Sequence, residues 1–110
     1  MTARAPNILI VMADQMAPAF LPIYGHGLTR APNMQELAQD GVVFASAYCN
    51  SPLCAPSRAS FMSGRLPSRT RVYDNAAEFS ADIPTFAHHL RLRGYRTVLS
   101  DRKASCRERV

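Results

Sequence analysis

Apolar residues crowd into a few short runs along this chain, separated by clusters of proline and glycine. From Asn7 the chain reads Ile8-Leu9-Ile10-Val11-Met12-Ala13 and then meets Asp14. A run that does not alternate with polar residues marks a strand covered on both faces, as at the centre of a parallel sheet. Residues 17–32 contain Pro18, Pro22, Gly25, Gly27 and Pro32, a pattern that predicts loop. Pro32 to Asp40 predicts a helix, because proline fits a first turn and Gly41 supplies a stop. Met34, Leu37 and Ala38 provide its apolar face, and Val42 to Tyr48 predicts a second strand.

Cys49 to Ala55 is rich in turn formers, after which Pro56 opens a short helix that Gly64 closes. Leu66 to Asp82 predicts a long polar connection, and loops of that length are usually functional or mobile. Pro84 begins a further helix that Gly94 ends, with Phe86, Ala87, Leu90 and His89 facing inward. Tyr95 to Ser100 predicts a third strand. This alternation predicts an α/β fold, the start of a mostly parallel sheet with helices on both faces. Three strands do not cover such a sheet, and a domain of about 100 residues is marginal unless its apolar surfaces meet. The expectation is therefore an incomplete sheet, the opening of a larger protein.

Composition narrows the class. The chain has 110 residues, 47% hydrophobic and 19% charged, which excludes a disordered tail, a collagen-like repeat and a coiled coil. No apolar run reaches the length of a bilayer span, and the first residues carry no signal-peptide core. The expected location is cytoplasmic, with no membrane partner. Three cysteines, Cys49, Cys54 and Cys106, make a disulfide framework unexpected and leave at least one thiol for chemistry. None has zinc-site spacing. The net charge of +5 raises a nucleic-acid partner, but the arginines lack aromatic interleaving or a DNA-binding motif. A solvated face or a small-anion site explains them better.

Two features carry chemistry. Asp14 follows the first apolar run, where open α/β sheets place their ligand crevice. A carboxylate there either binds a hard cation or caps the next segment. The second feature is Ser51-Pro52-Leu53-Cys54-Ala55-Pro56-Ser57-Arg58-Ala59-Ser60-Phe61-Met62-Ser63-Gly64. It sets Cys54 just ahead of a helix starting at Pro56, so free backbone N–H groups and the positive end of the helix dipole face an anion or thiolate there. Arg58 adds a fixed cation with a planar donor fork, and Ser57 and Ser60 are further donors.

That string resembles the signature of the sulfatase family, formylglycine-dependent enzymes of the alkaline phosphatase superfamily, and the resemblance runs from about Asn7 to Ser100. It implies that Cys54 is oxidised to formylglycine by a maturation enzyme that recognises Cys54, Pro56 and Arg58. It implies a hydrated aldehyde whose first hydroxyl attacks sulfur and whose second expels sulfate. It implies a divalent metal, Ca²⁺ ahead of Mn²⁺ or Mg²⁺, that polarises the sulfate. Asp14 and formylglycine 54 are the implied metal ligands, Gln15 a neutral candidate, and Arg58 supports the developing charge. Asn7–Gln15, Ser51–Gly64, Leu66–Phe79 and Ile83–Arg91 are similar to the bacterial choline-sulfatase branch, which implies choline O-sulfate as substrate. On the same resemblance Asn75 lies near the substrate, although Asp74-Asn75 is also an ordinary turn pair. The complete protein is expected to be a homo-oligomer. His88 and His89 are read as packing and surface residues, not ligands. Arylsulfatase and phosphonate monoester hydrolase are the alternatives within the superfamily, and a non-catalytic basic fragment is the alternative outside it.

Residues 1–100 thus read as the amino-terminal part of a sulfatase catalytic domain. After Ser100 the family continues with Gly-Lys, an apolar residue and His, whereas this chain runs Asp101-Arg102-Lys103-Ala104. Lys103 stands one position late and receives no role. Residues 101–110 read as a non-matching basic tail of the kind a frameshift or truncation leaves.

Overall fold

The computed structural model describes residues 5–100. Lys103, Cys106 and the basic tail lie outside the described residues. The chain divides into two compact units, Met1–Ala47 and Tyr48–Val110. The described residues hold four α-helices and two short 3-10 turns, and no strand. The helices are α1 (Pro32–Asp40), α2 (Cys54–Ser63), α3 (Pro67–Thr70) and α4 (Phe86–Leu92).

The absent strands correct the expected sheet. Asn7 to Ala13, Val42 to Tyr48 and Tyr95 to Ser100 form no ladder. The apolar run is exposed throughout, with Leu9 at 87% and Val11 at 86%. A strand is defined by backbone pairing, so a sequence suited to the middle of a sheet stays irregular where no neighbour pairs with it. Among the described residues the expected α/β architecture is therefore represented by its helices alone.

In the first unit, Pro18–Phe20 and Pro22–Tyr24 form consecutive 3-10 turns. Each starts on proline, whose fixed φ suits the position and whose missing N–H breaks no bond. The second turn ends at Gly25, with φ +96° in the left-handed region. His26 Nδ1 accepts the Thr29 N–H at 3.2 Å, and the His26 ring meets Phe20 edge-on with centroids 5.6 Å apart. The Tyr24 hydroxyl donates to the Phe44 carbonyl at 3.1 Å. Helix α1 lies against the Pro22–Tyr24 turn and stops at Gly41, as the sequence predicts. Its apolar face is only partly covered, with Leu37 74% exposed and Ala38 half-buried, and the layer expected to receive it is a sheet absent among the described residues.

The second unit holds a small core. Val72, Ala59 and Ile83 are buried together with Pro56, Thr70 and Thr85. Helix α2 packs on α3 and α4, and Phe61 meets Phe86 edge-on with centroids 5.6 Å apart. Gly64 ends α2 in the left-handed conformation at φ +68°, its N–H donating to the Ser60 carbonyl at 2.8 Å. The 66–82 segment is not a plain polar loop. Its start winds into α3, and the chain then inserts Val72, 1% exposed, into the core.

Helix α4 starts at Phe86, two residues after Pro84, with Thr85 as N-cap. His88 Nδ1 accepts the Thr85 N–H at 3.1 Å, so the histidine closes the open end of its own helix. His89, expected to face inward, is exposed. Phe86, Ala87 and Leu90 take the inner stripe, and at 100° per residue His89 falls outside it.

Candidate active site at the amino end of α2

Helix α2 begins two residues earlier than the proline predicts. Cys54 is its first residue and Leu53 its N-cap, while Pro56 occupies the third position. Proline is tolerated throughout a first turn, because none of those N–H groups has an intrahelical partner. Cys54 therefore sits within the helix, half-buried, rather than ahead of it.

This placement changes which backbone donors face Cys54. Pro56 has no N–H, and the Ser57 N–H donates to the Leu53 carbonyl at 3.0 Å. The Ala55 N–H donates to Asn75 Oδ1 at 2.9 Å. The N–H of Cys54 stands at the first position of the same turn. The positive end of the α2 dipole still falls on residue 54 and favours negative charge there.

Arg58 lies one turn further along α2, exposed, four residues from Cys54, and residues so spaced share a helix face. Its guanidinium suits the oxygens of a tetrahedral anion. Ser57 is half-buried, and Ser60 faces the core, where its hydroxyl has no hydrogen-bond partner among the described residues. Ser60 is thus a buried orphan of the helix interior and not a donor beside Cys54. The structure brings Asn75 to α2, and Cys54, Pro56, Arg58 and Asn75 all lie in the second unit.

Asp14 and Gln15 belong to the first unit, where they form the turn that follows the apolar run. Gln15 adopts φ +53°, left-handed backbone that non-glycine residues seldom take. The described residues contain no group of three or more His, Cys, Asp or Glu able to hold a metal ion. Hard divalent cations take about six oxygen ligands, so the expected metal does not fit the described residues alone. An open groove of about 540 Å³ in the first unit is lined by Pro22, His26, Thr29, Arg30 and Gln35 among others, and none of the predicted site residues lines it.

Sequence reasoning missed the cap on Ala55 and the role of His88. A histidine three residues after a threonine that follows proline is a local signal for the second. The first joins residues 20 apart and leaves no local mark.

A helix opening on cysteine, with proline two residues on and arginine four residues on, is the local form of the sulfatase signature. The family model described as Sulfatase matches residues 6–108, and the chain belongs to the sulfatase family. It is 56% identical over 100 residues to the choline-sulfatase of Rhizobium meliloti (strain 1021), covering 91% of this chain and 20% of that protein. It is 40% identical over 108 residues to human steryl-sulfatase, covering 88% of this chain and 18% of the relative. Human iduronate 2-sulfatase is 36% identical over 100 residues, with 88% and 18% covered. The chain spans about a fifth of the length of these relatives.

Proposed function

We propose that the complete protein carrying this segment hydrolyses sulfuric esters, with choline O-sulfate as substrate, to give choline and sulfate. The observation that carries the reading is the placement of Cys54 as first residue of α2, with Arg58 one turn along, within a chain of the sulfatase family. The similarity to a protein named choline-sulfatase, at 56% identity, supports the choice of ester over the aryl sulfates and phosphonates of related enzymes.

In this reading a separate maturation enzyme, using dioxygen as oxidant, converts Cys54 to formylglycine: the β-carbon loses two electrons, its C–S bond breaks with the sulfur leaving as sulfide, and a C=O bond forms in its place. One hydroxyl of the hydrated aldehyde would attack sulfur as the sulfur–oxygen bond to choline breaks and choline leaves as its alcohol. Loss of the second hydroxyl's proton would then break the carbon–oxygen bond to sulfate, releasing sulfate and restoring the aldehyde for rehydration. The residues of this chain bind and orient around it. Arg58 holds sulfate oxygens through its donor fork, and the N–H of residue 54 together with the α2 dipole favours negative charge at the reacting end. Asp14, with Gln15 beside it in sequence, would contribute a carboxylate to a divalent-cation site that the described residues do not complete.

The test is to express the complete protein with its maturation enzyme and assay choline O-sulfate, an aryl sulfate and a phosphonate monoester side by side. Choline O-sulfate is expected to give the highest kcat/KM. The Cys54 peptide is expected to be lighter by mass spectrometry than its thiol form. Preference for an aryl sulfate or a phosphonate would overturn the substrate, and an unmodified Cys54 in fully active protein would overturn the nucleophile.

A further inference from the structure

We propose that Asp74 and Asn75 form a clasp that fixes the first turn of α2 and so positions Cys54 for its reaction. The proposal rests on the reading of Cys54 as the reactive residue.

Helix α2 lacks the usual restraints on an amino-terminal turn. Its N-cap is Leu53, whose side chain accepts no hydrogen bond, and no acidic residue stands in its first turn. Helices with neither device fray at the amino end, because the first N–H groups turn to water instead. In α2 the fraying residue would be Cys54 itself.

The missing restraint comes from 20 residues downstream. Asn75 Oδ1 accepts the Ala55 N–H at 2.9 Å, as an N-cap oxygen does, but from a different segment. A backbone N–H only donates, so the amide oxygen and not the amide nitrogen must face the helix, which fixes the side chain's orientation. The preceding residue shapes the loop that delivers it. Asp74 Oδ1 accepts the Ala76 N–H and the Ala77 N–H, both at 2.9 Å, and curls the chain around residue 75. A few residues earlier Val72, 1% exposed, anchors the same segment in the core. Asn75 thus acts on Cys54 through the adjacent amide. It is a positioning residue.

The clasp makes residue 55 the diagnostic position. In the complete protein, expressed without its maturation enzyme so that Cys54 stays a thiol, the Ala55 amide is expected to be protected from hydrogen exchange. Asn75→Ala is expected to lower that protection at least about fivefold, the size of one hydrogen bond, while amides from Ala59 to Ser63 keep theirs. Asn75→Asp, which keeps an acceptor in place, is expected to restore it. Asp74→Ala should act in the same direction as Asn75→Ala, and the double variant should be no worse than Asn75→Ala alone. As a second readout, Asn75→Ala should raise the alkylation rate of the Cys54 thiol relative to exposed Cys49 about fivefold as the turn frays.

An Ala55 amide that exchanges freely in the unaltered complete protein overturns the clasp. So does protection lost evenly along α2, or an Asp variant that behaves like the Ala variant. Neither readout needs catalysis. If the complete protein fails to hydrolyse sulfate esters while Ala55 responds as described, the functional reading falls and the clasp stands. The converse result removes the clasp alone.

Discussion

Two buried side chains of the second unit set opposite expectations for truncation. Val72 is almost wholly buried and has only apolar atoms to lose, so Val72→Ala removes two methyl groups and leaves a void. At about 0.8 kcal/mol per buried methylene, plus a cavity contribution, the loss is about 2 kcal/mol, read from the hydrogen-exchange protection of the α2 amides. Ser60 is also buried, but its hydroxyl is orphaned among the described residues. An unpaired buried hydroxyl costs on the order of 1 kcal/mol, so Ser60→Ala is expected to leave stability unchanged or raise it by about that amount. A clear destabilisation by Ser60→Ala would mean that the hydroxyl has a hydrogen-bond partner in solution. At this scale the sequence is informative about type and silent about environment. Cys54, Pro56 and Arg58 can be picked out because their order is a motif. The orphaned Ser60 and the Asn75 cap cannot, since both depend on which segments fold against α2.

At the scale of elements, punctuation is what the sequence conveys best. Pro32 opens α1 and Gly41 follows its last residue, while Gly64 follows α2. Each residue acts through its own backbone, so no distant partner is needed to read it. Gly64 allows a clean measurement. It sits at φ +68°, and a Cβ built there meets nothing within 4 Å, so Gly64→Ala has a backbone cost and no steric one. That cost is about 1 kcal/mol, and Gly64→Asn is expected to lose less because asparagine tolerates the left-handed region. Equal losses for the two variants would point to packing at residue 64 instead. His88 makes the corresponding point at the other end of a helix. His88→Ala releases the Thr85 N–H at the start of α4 and is expected to cost about 1 kcal/mol, with the change in hydrogen exchange confined to that helix. The strands are less legible, because a strand exists only with its ladder. Ile8 to Ala13 has the composition of a central strand, and no described residue pairs with it.

The unpaired apolar segments decide how the whole chain behaves. Leu9, Val11, Val42, Val98 and Leu99 are all exposed, and Phe44 with them. The first unit contains no buried residue among those described, and the core of the second is made of a few small side chains around Val72. Cooperative unfolding requires that most contacts be lost together, which a core this small does not enforce. The purified 110-residue chain is therefore expected to melt over a broad range without a sharp heat-absorption peak. It should also bind a dye specific for exposed apolar surface and tend to associate through the unpaired segments. For the same reason it is expected to release no choline from choline O-sulfate. The described residues assemble no metal group, and one carboxylate at Asp14 does not make a site for a hard cation. Calorimetry and a choline-release assay on one preparation test both halves of the expectation. A sharp transition would show that segments left open here find partners within the chain or in a second copy. Measurable choline release would go further, since it would require a complete catalytic site within these 110 residues.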